Sequence, residues 1–229
     1  MTDRLGWRRK FGVIAPSTNT IVQPEFDMMR VPGVTSHYGR ILIRDGRIGD
    51  DKGMEALLEQ IRASMADCVE GIMTMEPDYM VMGMSAETFW DGVEGNRQFV
   101  QQIKDLSGGL GVATGAEACE RALHLYGAKK IAVVTPYTPI GDTNVRKFFT
   151  ELGFEVGQVK GLSCESAVAI AHVSEQTLRE SLTGHGLAGL SDDAQDAAVD
   201  DFRRALAQWA VRSAWINPEQ LSELDDRRP

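Results

Sequence analysis

Four stretches of the chain place small polar side chains directly after apolar runs, and each has residues that could do chemistry. The first is GVIAPSTNTIVQPEF, residues 12–26, where the run Gly12-Val13-Ile14-Ala15 stops at Pro16 and Ser17, Thr18, Asn19 and Thr20 follow. Hydroxyls, a side-chain amide and the N–H groups of a turn can together hold a carboxylate. The same residues can equally serve as a turn or helix cap. The second is VMGMSAETFWDG, residues 81–92. Gly83 permits close backbone approach, and Met84 and Ser85 follow it with N–H groups suited to an oxyanion. Glu87 could give or take a proton there, although an isolated glutamate is expected to be solvated. The third is VVTPYTPIGDTNV, residues 133–145. Thr135 ends its apolar run, and Tyr137 either donates its phenolic O–H to a substrate oxygen or caps the edge of a cleft. The fourth is GLSCESAVAI, residues 161–170. Cys164, with Glu165 beside it, could act as a nucleophile or proton-transfer thiol if its pKa were lowered. No partner histidine is evident, and a plain buried cysteine is the alternative reading. Cys68 and Cys119 fall within helical patterns and read as core residues.

These stretches need elements to hold them. Strands are expected at 10–16, 35–43, 77–85, 111–114, 129–136 and 154–162, and helices at 53–75, 95–107, 115–128 and 141–153, the last capped by Asp142 or Thr143. Residues 166–182 read as mostly helical. Strands alternating with helices predict an α/β fold with parallel, doubly wound sheets, and in such sheets ligands gather outside the carboxyl ends of the strands. All four polar stretches sit at such ends, which points to one shared polar cleft.

The organisation reads as a first α/β lobe over 1–115, a partial second lobe over 116–182, and an atypical segment over 183–229. That last segment holds nine acids and five Lys/Arg. It reads as an acidic helix with Ser191 as cap and Ala198, Phe202, Leu206, Trp209 and Trp215 on its apolar face, a face to be buried on its own sheet or on another subunit. A homo-oligomer is therefore expected.

A net charge of −9 argues against a nucleic-acid binder, which needs a basic face, but leaves room for a small anionic ligand. Three cysteines and four histidines are scattered without metal-ligand spacing, so no metal site is expected and reduced thiols suit the cytoplasm. No apolar run reaches the length of a membrane span. The chain contains no G-x-G-x-x-G, P-loop or G-x-S-x-G motif.

Taken in order, GVIAPSTNTIVQPEF, VMGMSAETFWDG and GAKKIAVVTPYTPIGDTNVRKFFTELGFEV resemble the maleate cis-trans isomerase and arylmalonate decarboxylase group of the aspartate/glutamate racemase superfamily, over roughly residues 8–182. The resemblance implies two similar lobes with a site between them, small carboxylic-acid substrates and no cofactor. Carried over by position, Asn19 binds a substrate carboxylate with Pro16 and Ser17 beside it. Gly83, Met84 and Ser85 line the oxyanion contacts, and Tyr137 bonds a carboxylate or enediolate oxygen. Thr135, Cys164 and Glu165 complete the candidate site, with Tyr137, Ser85 and Cys164 as the catalytic candidates. The isomerases and racemases of this group use two facing cysteines, whereas the decarboxylase keeps one. Here Gly83-Met84-Ser85-Ala86 carries no thiol at the first position, and no D-A-I-x-x-C strand follows residue 185. The expected function is a cofactor-independent isomerase or decarboxylase acting on a small mono- or dicarboxylic acid. The alternative is a catalytically inactive carboxylate-binding protein of the same fold.

Overall fold

A computed structural model of the protein describes residues 3–183. The acidic helix expected over 191–224 lies outside the described residues.

The core is built on β1 (Arg9–Pro16), whose Val13, Ile14 and Ala15 are fully buried. It is flanked in parallel by β2 (Val34–Ile41) on one side and β3 (Tyr79–Met82) on the other, and β4 (Val112–Ala113) completes a four-stranded sheet of order β2-β1-β3-β4. Parallel strands need covered faces, and α2 (Asp51–Met73) supplies the largest cover. Its Met54, Leu57, Leu58, Ile61, Met65, Val69 and Ile72 recur at helical spacing and are all buried. Burial of each such side chain is worth about 1.5–3 kcal/mol over exposure. Asp50 starts this helix by accepting the Gly53 N–H at 2.7 Å.

A second parallel pair, β5 (Lys130–Thr135) and β6 (Glu155–Gly161), follows later in the chain. The single-turn α3 (Ala86–Phe89) and α4 (Gly92–Leu106) connect β3 to β4, and α5 (Gly115–Leu125) leads from β4 to β5. Between β5 and β6 runs α6 (Pro139–Glu151). An aromatic cluster joins the two halves. Phe89 of α3 meets Phe148 of α6 edge-on at 5.2 Å and Phe149 at 5.6 Å. Polar stitches run beside it: Val93 N–H donates to Glu151 at 2.7 Å and Asp91 N–H to Asn144 at 2.9 Å.

The strand and helix order follows the expected β-α alternation, with two differences. Helix α1 (Val22–Met28) was not expected, because it buries none of its residues and so carries no apolar periodicity. Helix α6 is not capped by Asp142 or Thr143. It begins one turn earlier, with Thr138 at the cap position and Pro139 at the first helical position, where a proline's fixed φ fits and its missing N–H costs nothing. Residues 166–182 are mostly helical, as expected, in two pieces. A 3₁₀ turn at Ala169–His172 is followed by an extended Val173, and α7 (Glu175–Thr183) restarts after Ser174, whose hydroxyl accepts the Thr177 N–H at 3.0 Å.

Candidate active site

The carboxyl ends of the strands converge. Ser17 N–H donates to the Ile41 carbonyl at 2.7 Å and its Oγ accepts the Ile43 N–H at 3.0 Å, tying the end of β1 to the end of β2. Gly83 N–H donates to Ile14 at 2.7 Å, tying the end of β3 to β1. A Cβ on Gly83 would stand 3.0 Å from Val22 and 3.2 Å from the Ile14 carbonyl, so any larger residue there would press on the end of β1. The loop after β6 lies along the loop after β5. Ser163 N–H donates to Tyr137 O and Cys164 N–H to Pro136 O, both at 3.1 Å. It also crosses to the first half, where Ala167 N–H meets the Gly46 carbonyl at 2.7 Å and Ile48 N–H meets Glu165 at 3.1 Å.

At the centre of this array Ser85 Oγ and Tyr137 Oη share a hydrogen bond of 2.5 Å across 52 residues of sequence. Ser85 is exposed and Tyr137 is only 5% exposed, so the pair has one open side and one sealed side. Burial pushes the Tyr137 phenol up to about 12, and Cys119 and Asp142 add to the rise, while the Ser85 bond opposes it. Tyr137 is therefore a proton-bearing donor at neutral pH, not a base. Ser85 is held by Thr88, whose N–H and hydroxyl both donate to the Ser85 carbonyl, at 3.0 and 2.8 Å. Buried Asn96 in turn holds Thr88, donating its side-chain N–H to the Thr88 carbonyl at 2.8 Å. Gly115, the first residue of α5, faces Ser85: a Cβ there would stand 3.8 Å from Ser85 Cβ, which sets the positive end of that helix beside the pair.

Thr135 acts inside the wall. Its hydroxyl donates to Asp142 at 2.5 Å and accepts the Tyr137 N–H at 3.1 Å, fixing the backbone that carries the phenol. Burial raises the Asp142 carboxyl, against the stabilising bonds from Thr135 and the Gly161 N–H. Cys164 is buried, and burial raises its thiol as well, which favours the protonated form. Cys119 is raised by the same cause and lies close enough to Tyr137 for its charge to be felt. Cys119 packs against the core, as its sequence reading has it.

Asn19 has partners of its own. Its Oδ1 accepts the N–H groups of Ile21 and Val22 at 3.0 and 2.9 Å, and its carbonyl accepts Arg40 Nη2 at 2.6 Å. The turn-cap reading thus accounts for the oxygen, and the side-chain amide N–H₂ remains for a ligand. Asn19 borders an open depression of about 480 Å³ with Thr20, Gln23, Pro24, Asp27 and Arg40. Glu165 borders another, of about 440 Å³, with Asp45, Arg47 and Asp50. Pro16 ends β1 and accepts the Asn19 N–H at 3.0 Å, and Met84 is half-buried against the core beside Gly83.

Glu87 corrects its sequence reading. It is not a solvated surface group but 8% exposed, with Oε1 accepting Arg62 Nε at 2.8 Å and Oε2 buried without a partner among the described residues. Burial raises its pKa, and Arg62 works against the rise.

A family model described as arylmalonate decarboxylase matches residues 50–200. The chain belongs to the arylmalonate decarboxylase family. A maleate isomerase of Pseudomonas putida is 24% identical over 188 residues, covering 79% of this chain and 74% of that protein. Among solved structures, a Nocardia farcinica maleate cis-trans isomerase mutant with a covalently bound succinylcysteine intermediate superposes with a TM-score of 0.67 at 18% identity, covering 80% of this chain and 75% of the other. A double mutant of arylmalonate decarboxylase in its liganded form gives 0.60 at 17% identity, covering 75% and 69%. These likenesses agree with the α/β fold of parallel sheets. No helix among the described residues is long and apolar enough to cross a membrane.

Proposed function

We propose that the protein is a cofactor-independent enzyme that acts on a small mono- or dicarboxylic acid, as a decarboxylase or an isomerase of its family's kind. The observation that carries this reading is the 2.5 Å Ser85–Tyr137 contact at the joined strand ends, sealed on one side and open on the other. Two hydroxyls in series make a donor pair: one donates to the other, and the second proton is left for a ligand oxygen. A carboxylate at this place would receive that bond together with the positive end of α5. The advantage grows as charge moves onto the oxygens in an enediolate, which is the differential stabilisation that catalysis needs.

For decarboxylation, the bond from the α-carbon to the departing carboxylate breaks and CO₂ leaves. The electron pair passes into the enediolate held by Ser85 and Tyr137, and a thiol proton is delivered to the carbon. Cys164 is assigned that proton, because burial keeps it a thiol. Covalent isomerisation needs a thiolate that attacks carbon, and raised thiols with a thiol-free Gly83-Met84-Ser85-Ala86 turn favour the proton-transfer route. Asn19 is assigned the outer carboxylate through its amide N–H₂, with Pro16 and Ser17 beside it and Gly83 and Met84 on the Ser85 side, while Thr135 holds the backbone of Tyr137 and Glu165 borders the second depression. The catalytically inactive alternative finds no support among the relatives. A cytoplasmic homo-oligomer with reduced thiols completes the proposal; the three cysteines are unpaired.

Incubation with phenylmalonate, maleate and amino-acid enantiomers in D₂O, followed by NMR, tests it. CO₂ loss with deuterium at the α-carbon is expected from a malonate. Absence of turnover and of α-proton exchange with every acid would end the enzymatic reading.

A further inference from the structure

Tyr137 stands two residues before the first residue of α6, so whatever fixes that helix start also fixes the phenol. A helix N-terminus leaves backbone N–H groups in need of acceptors. The local acceptor is not used here. Thr138 occupies the cap position with extended backbone, φ −84° and ψ 171°, yet its side chain makes no capping bond. Its hydroxyl is buried and has no partner among the described residues. Pro139 has no N–H to offer. The Ile140 N–H donates instead to Oδ1 of Asp51 at 3.1 Å, 89 residues away in sequence and the first residue of α2. The first half of the molecule thus supplies the cap that the second half's own threonine withholds. Gly141 then locks the turn to the tyrosine, since a Cβ there would come within 2.6 Å of Tyr137 Cβ.

We propose that Asp51 is a positioning residue for the Ser85–Tyr137 pair: its carboxylate caps α6 from the opposite half and so sets where the phenol stands against the serine. The proposal rests on the reading of that pair as the reacting centre. The electrostatics fit a shared cap. Asp51 lies close enough to Asp142 for the two carboxylates to repel, and both stand in the first turn of a helix, where negative charge is favoured. When the cap is lost, the Thr138 hydroxyl is free to turn onto its own helix as an ordinary cap, and the first turn of α6 shifts with Tyr137 attached.

Asp51→Ala and Asp51→Asn separate the capping bond from mere charge, because asparagine keeps an oxygen acceptor. Three readouts are taken on the full chain: the ring-carbon signal of Tyr137 in ¹³C-tyrosine protein, amide exchange at Ile140, and steady-state kinetics with phenylmalonate and maleate. D51A is expected to shift the Tyr137 signal, speed Ile140 exchange, and lower kcat about 10- to 100-fold with KM within about threefold, as a misplaced catalytic group does. D51N restores all three toward the wild type. An unmoved Tyr137 signal in D51A overturns the proposal, as does an unchanged kcat in an active protein. If the wild type turns over neither acid, the functional reading fails, and the Tyr137 signal and Ile140 exchange still decide whether Asp51 positions the phenol. Should D51A not fold, Asp51→Glu replaces it, keeping the charge while moving the carboxylate away from the Ile140 N–H; a shifted Tyr137 signal with lower kcat supports the cap, and an unmoved signal overturns it.

Discussion

The end of β1 and the joined ends of β3 and β5 carry the same kinds of residue, small and polar, but use them in opposite ways. At β1, Ser17 and Asn19 spend their oxygens on backbone, one on Ile43 past the end of the neighbouring β2 and the other on Ile21 and Val22, in a partly exposed turn. At β3 and β5, Ser85 and Tyr137 bond each other, one open and one buried. The first region spends its oxygens on its own turn and on β2, and keeps an amide N–H₂ to spare. The second is a preorganised donor pair whose supporting bonds, from Thr88, Asn96, Thr135 and Asp142, all run inward. Donors held this way need little reorganisation when charge develops on a ligand.

The largest expected effect separates the two regions by activity. Tyr137→Phe removes the buried donor and leaves the ring, so kcat should fall about 10²- to 10³-fold, the usual loss of one oxyanion donor, with little change in melting temperature. Asn19→Ala should cost less than about tenfold, mostly in KM, and should destabilise the α1 turn by about 1 kcal/mol through loss of its cap. Equal losses of kcat in the two variants would erase the distinction.

The next effect tests the sealed side. Arg62→Ala leaves the Glu87 carboxyl buried without its partner. Removing one member of a buried pair costs about 3–5 kcal/mol, and because the Arg62 side chain is 49% exposed, about 1–3 kcal/mol is expected here. Chemical denaturation measures it. A smaller opposite case is Gly83→Ala, whose methyl would press on Val22 and the Ile14 carbonyl at 3.0 and 3.2 Å. Overpacking of this kind costs about 1–2 kcal/mol, and a variant as stable as wild type would mean that the β1 side yields freely.

The fold was largely legible because its signals are strong and local: apolar runs for β1 and β5, a long 3.6-residue period for α2, and Gly or Pro at the ends. What escaped lacked such signals. Helix α1 buries nothing, and the start of α6 is decided by Pro139 and by an acceptor from α2, far away in sequence. The site was legible as residue types. Ser85 and Tyr137 were named from their strand ends, yet nothing in the spacing revealed that they touch each other. Nor did composition distinguish the oxygens of Asn19 and Thr135, which serve the backbone, from groups left for a ligand. Glu87 shows the limit in reverse, since a glutamate two residues past a strand-end serine reads as solvent-facing until the packing of Arg62 on α2 is known.

Glu87 also offers the smallest and most discriminating test, because it lies on the single turn that follows Ser85. Its folded pKa is raised above the ordinary value of 4.5 by burial. A carboxyl with a raised folded pKa binds its proton more tightly in the native state than in the unfolded one. Stability is therefore fullest below the unfolded pKa and declines as pH rises from about 4.5 through the folded value. Glu87→Gln should remove that decline, keep a hydrogen bond to Arg62, and flatten the melting-temperature profile on the acid side. The β1 turn has no counterpart, so Asn19→Ala should lower the profile without changing its slope. A profile in Glu87→Gln that keeps the wild-type slope would show that Arg62 fully offsets the burial and that the sealed side carries no protonation-linked strain.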